Sequence, residues 1–241
     1  MRIVSLLFVA CFLLPVGTFA QRVKLNKGKP SSRSYLTSVD YKNVEGKIII
    51  PVKIEGTTYD FLFDTGAPNL ITKSLSEKIS SRLLDEISVR DANDSRRMLK
   101  VVSIPVISVG STQFEDIPTI VNDPNSNFIL DCFGVDGIIG SNMMRKSVVH
   151  IDSENFILSV SNEPSHFGVS ELEAIELSLS KAQSSPYMWI RLKGGGKARE
   201  YVLFDTGMHG FYDMSIDNYE KLKELVAFQG EESGKGSKSI G

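Results

Sequence analysis

The sequence predicts an all-β domain over about residues 40–161, followed by a second lobe that begins to repeat it. Three observations carry this reading. Short β-branched and aromatic runs recur between Gly-containing turns, with few helical stretches. The segment Leu62-Phe63-Asp64-Thr65-Gly66 returns as Leu203-Phe204-Asp205-Thr206-Gly207. Each copy runs strand, turn, strand, Asp-Thr-Gly, helix, which marks a duplicated lobe and not a solenoid.

Residues 1–20 stand apart from this pattern. Arg2 is followed by an almost wholly apolar run from Ile3 to Leu14, and Thr18-Phe19-Ala20 offers a small residue at a cleavage position. This is the pattern of a secretory signal peptide. Pro15 and Gly17 interrupt the run and leave it short for a membrane span. Cys11 raises a lipoprotein alternative, against which apolar residues continue beyond it. The protein is therefore expected to be exported, periplasmic or extracellular.

Residues 21–43 are expected to form a basic arm or linker, since Arg22, Lys24, Lys27, Lys29 and Arg33 precede any acid. A sharper alternative is a pro-segment whose cations pair with carboxylates in a cleft. The first lobe is assigned to 44–161. Lys47 to Ile54 is a β-branched run in which Pro51 suggests an edge strand. Glu55-Gly56 marks a turn, and Tyr59 to Phe63 a second strand. Ser74 or Ser76 is expected to cap a short helix whose Leu75, Ile79 and Leu83 share a buried face. Apolar runs at 99–109 and 117–121 flank the turn Gly110-Ser111. A flap over substrate is expected between about 89 and 104. Ile138-Ile139-Gly140 precedes a short polar stretch, and Val148 to Asp152 with Phe156 to Val160 reads as a closing hairpin.

Residues 162–185 are expected to link the lobes, and 186–241 to begin the second. There Tyr187 to Lys193 and Tyr201 to Phe204 read as strands around Gly194-Gly195-Gly196. Ser215 starts a helix with Ile216, Tyr219, Leu222 and Leu225 on one face.

Composition narrows the function. The 241 residues carry 27 Lys and Arg against 29 Asp and Glu, a net charge of −2, which gives no footprint for nucleic acid. With 41% hydrophobic and 23% charged residues the chain is neither disordered nor collagen-like. Two cysteines cannot build a disulfide framework or a metal cluster. After signal removal Cys132 alone remains, expected as a small buried hydrophobe without a catalytic role. His150, His166 and His209 are too scattered to suggest a metal site. No metal or cofactor is expected.

One Asp-Thr-Gly is weak evidence, arising by chance about 0.04 times in such a chain; a single copy could be an Asx-type turn at a strand end. Two copies, each after an apolar strand and before a helix, call for another explanation. The strand carries the Asp into a partly desolvated place. The Gly allows a tight turn and brings its N–H to the carboxylate. The Thr hydroxyl can bond nearby backbone.

Phe63-Asp64-Thr65-Gly66-Ala67-Pro68 and Phe204-Asp205-Thr206-Gly207 resemble the Asp-Thr-Gly loops of the pepsin-like and retropepsin-like aspartic proteases. Asp136-Gly137-Ile138-Ile139-Gly140 resembles that family's apolar-apolar-Gly element, and Val149-His150-Ile151-Asp152 the strand after it. The resemblance implies an acid-protease-like closed β-barrel for the first lobe and a bilobal, pseudo-twofold architecture with the second lobe only partly present. It implies a catalytic dyad of Asp64 and Asp205. Thr65 and Thr206 would brace the loops, Gly66 and Gly207 would supply N–H donors, and Ile138, Ile139 and Gly140 would pack behind. Two facing carboxylates cannot both ionise easily, so the pair holds one proton. The ionised partner acts as base on a water, and the protonated one polarises the scissile carbonyl.

Two departures matter. The residue after each Asp-Thr-Gly is often Ser or Thr in pepsin-like enzymes; here it is Ala67 or Met208. Without a hydroxyl to steady an ionised carboxylate, the activity optimum is expected nearer neutral than strongly acidic. His209, next to Met208, is read as a partly exposed loop residue, with perturbation of the dyad as the alternative. The spacing from Asp64 to Ile138-Ile139-Gly140, applied to Asp205, would run past Gly241, so the second lobe is expected to be truncated or degenerate. The leading expectation is an exported aspartic endopeptidase acting on peptides, monomeric when complete. The alternatives are a homodimer using Asp64 alone, or a peptide-binding or structural β-domain with a vestigial site. Asn93-Asp94-Ser95 matches a glycosylation acceptor.

Overall fold

A computed structural model describes residues 23–90, 96–122, 128–169, 174–191 and 199–225, except 209, 211, 213 and 215. The signal segment, Asn93-Asp94-Ser95, Gly194-Gly195-Gly196, His209, Ser215 and 227–241 lie outside them.

The strands in chain order are β1 (Lys29–Pro30), β2 (Leu36–Asp40), β3 (Lys42–Val44), β4 (Lys47–Ile54), β5 (Thr57–Asp64) and β6 (Leu70–Ile71). After the one-turn helix α1 (Lys73–Ser76) come β7 (Arg82–Arg90), β8 (Arg96–Val109) and β9 (Thr112–Val121). Helix α2 (Phe128–Phe133), β10 (Gly137–Gly140), α3 (Ser141–Met144), β11 (Val148–Asp152) and β12 (Ile157–Ser161) come next. Then follow a 3-10 turn (Pro164–Phe167), β13 (Ser178–Leu179), β14 (Pro186–Ile190), β15 (Glu200–Leu203) and α4 (Ile216–Leu225).

Nine strands form one sheet, and pairing of β8 with both β4 and β9 closes the path β9-β6-β10-β5-β4-β8 on itself. Closure leaves this ring without an open edge. The period of two along each strand sorts the side chains. Phe61, Phe63 and Ile139 enter the main core with Ile50, Phe114 and Ile117. Leu62, between Phe61 and Phe63, and Ile138, next to Ile139, face the other way and pack with Ile49, Leu130 and Val135. Strand β5 is thus buried on both faces, which holds the chain entering Asp64.

The turn at Glu55-Gly56 has positive φ at both residues, 50° and 83°, the pairing that matches strand twist in a two-residue hairpin. Gly56 takes that conformation without the penalty a Cβ would add.

Several expectations need correction. Pro51 is not on an edge strand, because β4 lies between β5 and β8. Pro51 falls between the β3 pairing at Lys47–Ile49 and the β8 pairing at Val52 and Lys53, where that flank asks for no ladder donor. Helix α1 is capped by Thr72, whose Oγ1 accepts from the Leu75 N–H at 3.1 Å, not by Ser74 or Ser76. It ends at Ser76. Leu75 and Ile79 are buried, but Leu83 lies in β7 and is exposed. Cys132 is exposed, not buried. It sits two residues beyond buried Leu130 on α2, about 200° around the helix.

The segment read as a basic arm is part of the fold. Strand β2 pairs along its whole length with β12, which also carries β11. Strand β1 pairs with β9. Upstream, Arg145 donates to the carbonyls of Lys27 (2.9 Å) and Gly28, and Asn142 to that of Leu25 (3.2 Å). The run Leu36-Thr37-Ser38-Val39 is short and half exposed, so its strand conformation depends on β12 and not on local pattern. The interlobe stretch also contributes, since β13 pairs with β14 and β14 with β15. On α4, Ile216 is exposed.

Candidate active site

Strand β5 delivers Asp64 at its last position, and β10 runs parallel beside it with Ile139 opposite Phe63 and Gly140 opposite Asp64. Behind the loop the polar stretch after Gly140 makes the brace. The Gly140 N–H donates to Asn69 Oδ1 at 2.7 Å, and the Asn69 N–H to Asn142 Oδ1 at 2.7 Å. The Ser141 N–H reaches the Ala67 carbonyl at 3.0 Å. Both asparagines are fully buried. A side chain on Gly140 would collide with the backbone of Ala67, Pro68 and Asn69, which is why glycine ends the Ile-Ile-Gly run.

The second loop follows β15, and the Phe204 N–H bonds the Pro186 carbonyl at 2.9 Å. The two loops meet through a reciprocal threonine pair. Thr65 Oγ1 donates to the Phe204 carbonyl at 2.6 Å and accepts from the Thr206 N–H at 3.0 Å. Thr206 Oγ1 donates to the Phe63 carbonyl at 3.1 Å and accepts from the Thr65 N–H at 3.1 Å. Each hydroxyl satisfies one donor and one acceptor of the opposite loop, so the two are locked in a fixed relation.

The carboxylates lie inside this clasp. Asp64 Oδ1 accepts from the N–H groups of Gly66 (2.8 Å) and Ala67 (3.1 Å). Asp205 Oδ1 accepts from Gly207 (2.7 Å). A methyl group at Gly66 would run into the Asp205 carboxylate, and one at Gly207 into that of Asp64. Each glycine therefore supports its own aspartate and makes room for the other. The Asp64 carboxyl is pushed up to about 6, first by burial and next by the charge of Asp205, to which it is also hydrogen-bonded; the Gly66 and Ala67 N–H groups partly offset this.

The structure brings Asp64, Thr65, Gly66, Asp205, Thr206 and Gly207 to one centre, with Ile138, Ile139 and Gly140 directly behind. Sequence reasoning missed Asn69, Asn142, Lys47, Gln183 and Ser185, all of which touch the loops or their brace. Asn142 follows the Ile-Ile-Gly run closely, and Asn69 lies three residues beyond Gly66. Lys47, Gln183 and Ser185 come from parts of the chain distant from the loop each one touches. Strands β7 and β8 pair antiparallel across part of the stretch expected to carry a flap, and residues 91–95 between them lie outside the described residues.

Two half-buried aspartates, each accepting hydrogen bonds from its own Asp-Thr-Gly loop, thus sit side by side across the threonine clasp. Residues 50–143, which include the first Asp-Thr-Gly and Ile138-Ile139-Gly140, match the model of a family described as aspartyl protease. The chain is similar in structure to a retropepsin-like aspartic protease from Rickettsia conorii, at 16% identity and a TM-score of 0.39. That match covers 53% of this chain and 93% of the other. No curated protein matches the chain.

Proposed function

We propose that the protein is an exported aspartic endopeptidase in which Asp64 and Asp205 activate a water between them. The observation that carries this reading is the reciprocal clasp of Thr65 and Thr206, which holds two carboxylates together inside one chain. The proton of the pair belongs to the dyad as a unit. Burial and the neighbouring Asp205 charge both push the Asp64 carboxyl toward its neutral form. The ionised member of the pair takes a proton from the water. The protonated member donates to the carbonyl oxygen of the scissile bond, and a proton then passes to the leaving nitrogen. Export rests on the signal-like residues 1–20. Among the described residues, no helix is long and apolar enough to cross a membrane.

Pairing of the loops within one chain favours a bilobal monomer over a dimer of first lobes. The test is cleavage of a mixed peptide library across pH 3–8 by wild type, Asp64→Asn and Asp205→Asn. Activity lost in both variants is expected. Activity lost only in Asp64→Asn would point to the homodimer. An inactive wild type would move the reading to a peptide-binding domain.

A further inference from the structure

Lys47 is a charged side chain that the dyad chemistry does not use, yet it is only 6% exposed. Its ammonium donates to the Gly207 carbonyl at 2.5 Å. Among the described residues it makes no ion pair. A buried cation is costly unless compensated, so a carbonyl partner in place of a carboxylate calls for an explanation.

Gly207 is the point where the second loop meets both aspartates. Its N–H supports Asp205, and its Cα lies against the Asp64 carboxylate. Lys47 fixes the third group of the same residue. The strand registers show how it comes to be there. The β4–β5 ladder ends with Ile49 opposite Leu62, and its register carried two residues further would set Lys47 across from Asp64. The β14–β15 ladder ends with Tyr187 opposite Leu203, and its register carried two residues further would set Ser185 across from Asp205. Lys47 and Ser185 are thus equivalent positions in the two lobes, and each reaches the glycine carbonyl of the opposite loop. Ser185 Oγ lies 3.5 Å from the Gly66 carbonyl, to which Gln183 Nε2 donates at 3.0 Å. Gln183 also bonds Ser185 Oγ at 2.8 Å.

We propose that Lys47 is a positioning residue that crosses the pseudo-twofold to fix the Asp205 loop with a buried cation. The Asp64 loop is fixed at the equivalent carbonyl by the neutral pair Gln183 and Ser185. The two halves of the centre are therefore braced by different chemistry. The kinetic consequence rests on the protease reading; the brace itself does not.

The experiment reads backbone amide exchange in the two loops, 63–67 and 204–208, for wild type, Lys47→Met, Lys47→Arg and Gln183→Leu, each checked for folding by circular dichroism. Lys47→Met is expected to speed exchange in 204–208 and leave 63–67 unchanged. Gln183→Leu should do the converse, and Lys47→Arg should restore protection. Lys47→Gln, which keeps a donor without the charge, replaces Lys47→Met if that variant does not fold. Peptide turnover is measured alongside. Lys47→Met should lower kcat on the order of tenfold or more with KM within about twofold, because the loop and not the substrate contact is displaced, and Lys47→Arg should recover most of it. Exchange that is unchanged, or raised equally in both loops, overturns the proposal, as does an unchanged kcat. A wild type that cleaves no peptide overturns the protease reading alone, and the exchange pattern still decides the role of Lys47.

Discussion

At Gly207 there is no room for a side chain, and at Asp64 burial outweighs the hydrogen bonds that would keep the carboxylate charged. Gly207→Ala places a methyl group on the Asp64 carboxylate. It should cost roughly a hundredfold or more in kcat/KM by displacing the pair, in steady-state assays of a folded variant. The raised Asp64 carboxyl also sets a pH window. In the unfolded chain it titrates near 3.8 and in the fold near 6. Below the lower value both states hold the proton. As pH rises from there toward 6, the unfolded chain releases its proton first, so the fold loses stability across that window. Activity should decline as pH rises through about 6, and a rate profile peaking below about pH 3 would contradict the dyad described here. In Asp205→Asn the neighbouring charge is gone but the burial remains. Asp64 should then titrate lower than in wild type yet still above 3.8, observed by carboxyl carbon NMR. An unchanged titration would show that Asp205 does not face it.

At the scale of elements, the site is a set of loops held from behind. The asparagines between β10 and the Asp64 loop are buried and serve several backbone groups at once. Asn69→Ala leaves the Gly140 N–H without its acceptor. It should destabilise the first lobe by about 1–3 kcal/mol in denaturant unfolding. The threonine clasp couples two elements distant in sequence. Thr65→Val and Thr206→Val should therefore be non-additive in a double-mutant cycle, with a coupling of about 0.5–3 kcal/mol. Simple addition would mean that the loops do not share the clasp. Apolar filling lies beneath both devices. Phe61 is fully buried, and Phe61→Ala should cost about 3–5 kcal/mol.

At the scale of the whole molecule, the first lobe is a closed barrel extended by chain on either side of its expected limits. The segment before residue 44 supplies β1, β2 and most of β3 and is tied down by Arg145 and Asn142. Asn26 then bonds the Lys181 carbonyl at 2.8 Å and accepts from Ser184 at 2.8 Å, so the N-terminal segment also grips the interlobe stretch. That stretch in turn holds the Asp64 loop through Gln183. Arg145→Ala should release this end of the chain and raise its cleavage by a nonspecific protease, while circular dichroism shows the barrel intact.

Local pattern was enough to determine the strands around Glu55-Gly56 and Gly110-Ser111, the closing hairpin after Ser147, and the pairing in kind of the two Asp-Thr-Gly loops. Each depends on neighbours in sequence: side-chain alternation, turn residues, and a repeated five-residue string. The tertiary structure decided what depends on distant partners. Pro51 lies inside the sheet because two pairings stop short of it, and Leu36 to Asp40 becomes a strand because β12 receives it. Lys47 and Gln183 join the site because the fold brings them to the opposite loop, and Asn69, local to the first loop, meets Gly140 and Asn142 only through the pairing of β10. A polar side chain looks alike in sequence whether water or a buried carbonyl awaits it, and only the folded chain supplies the carbonyl.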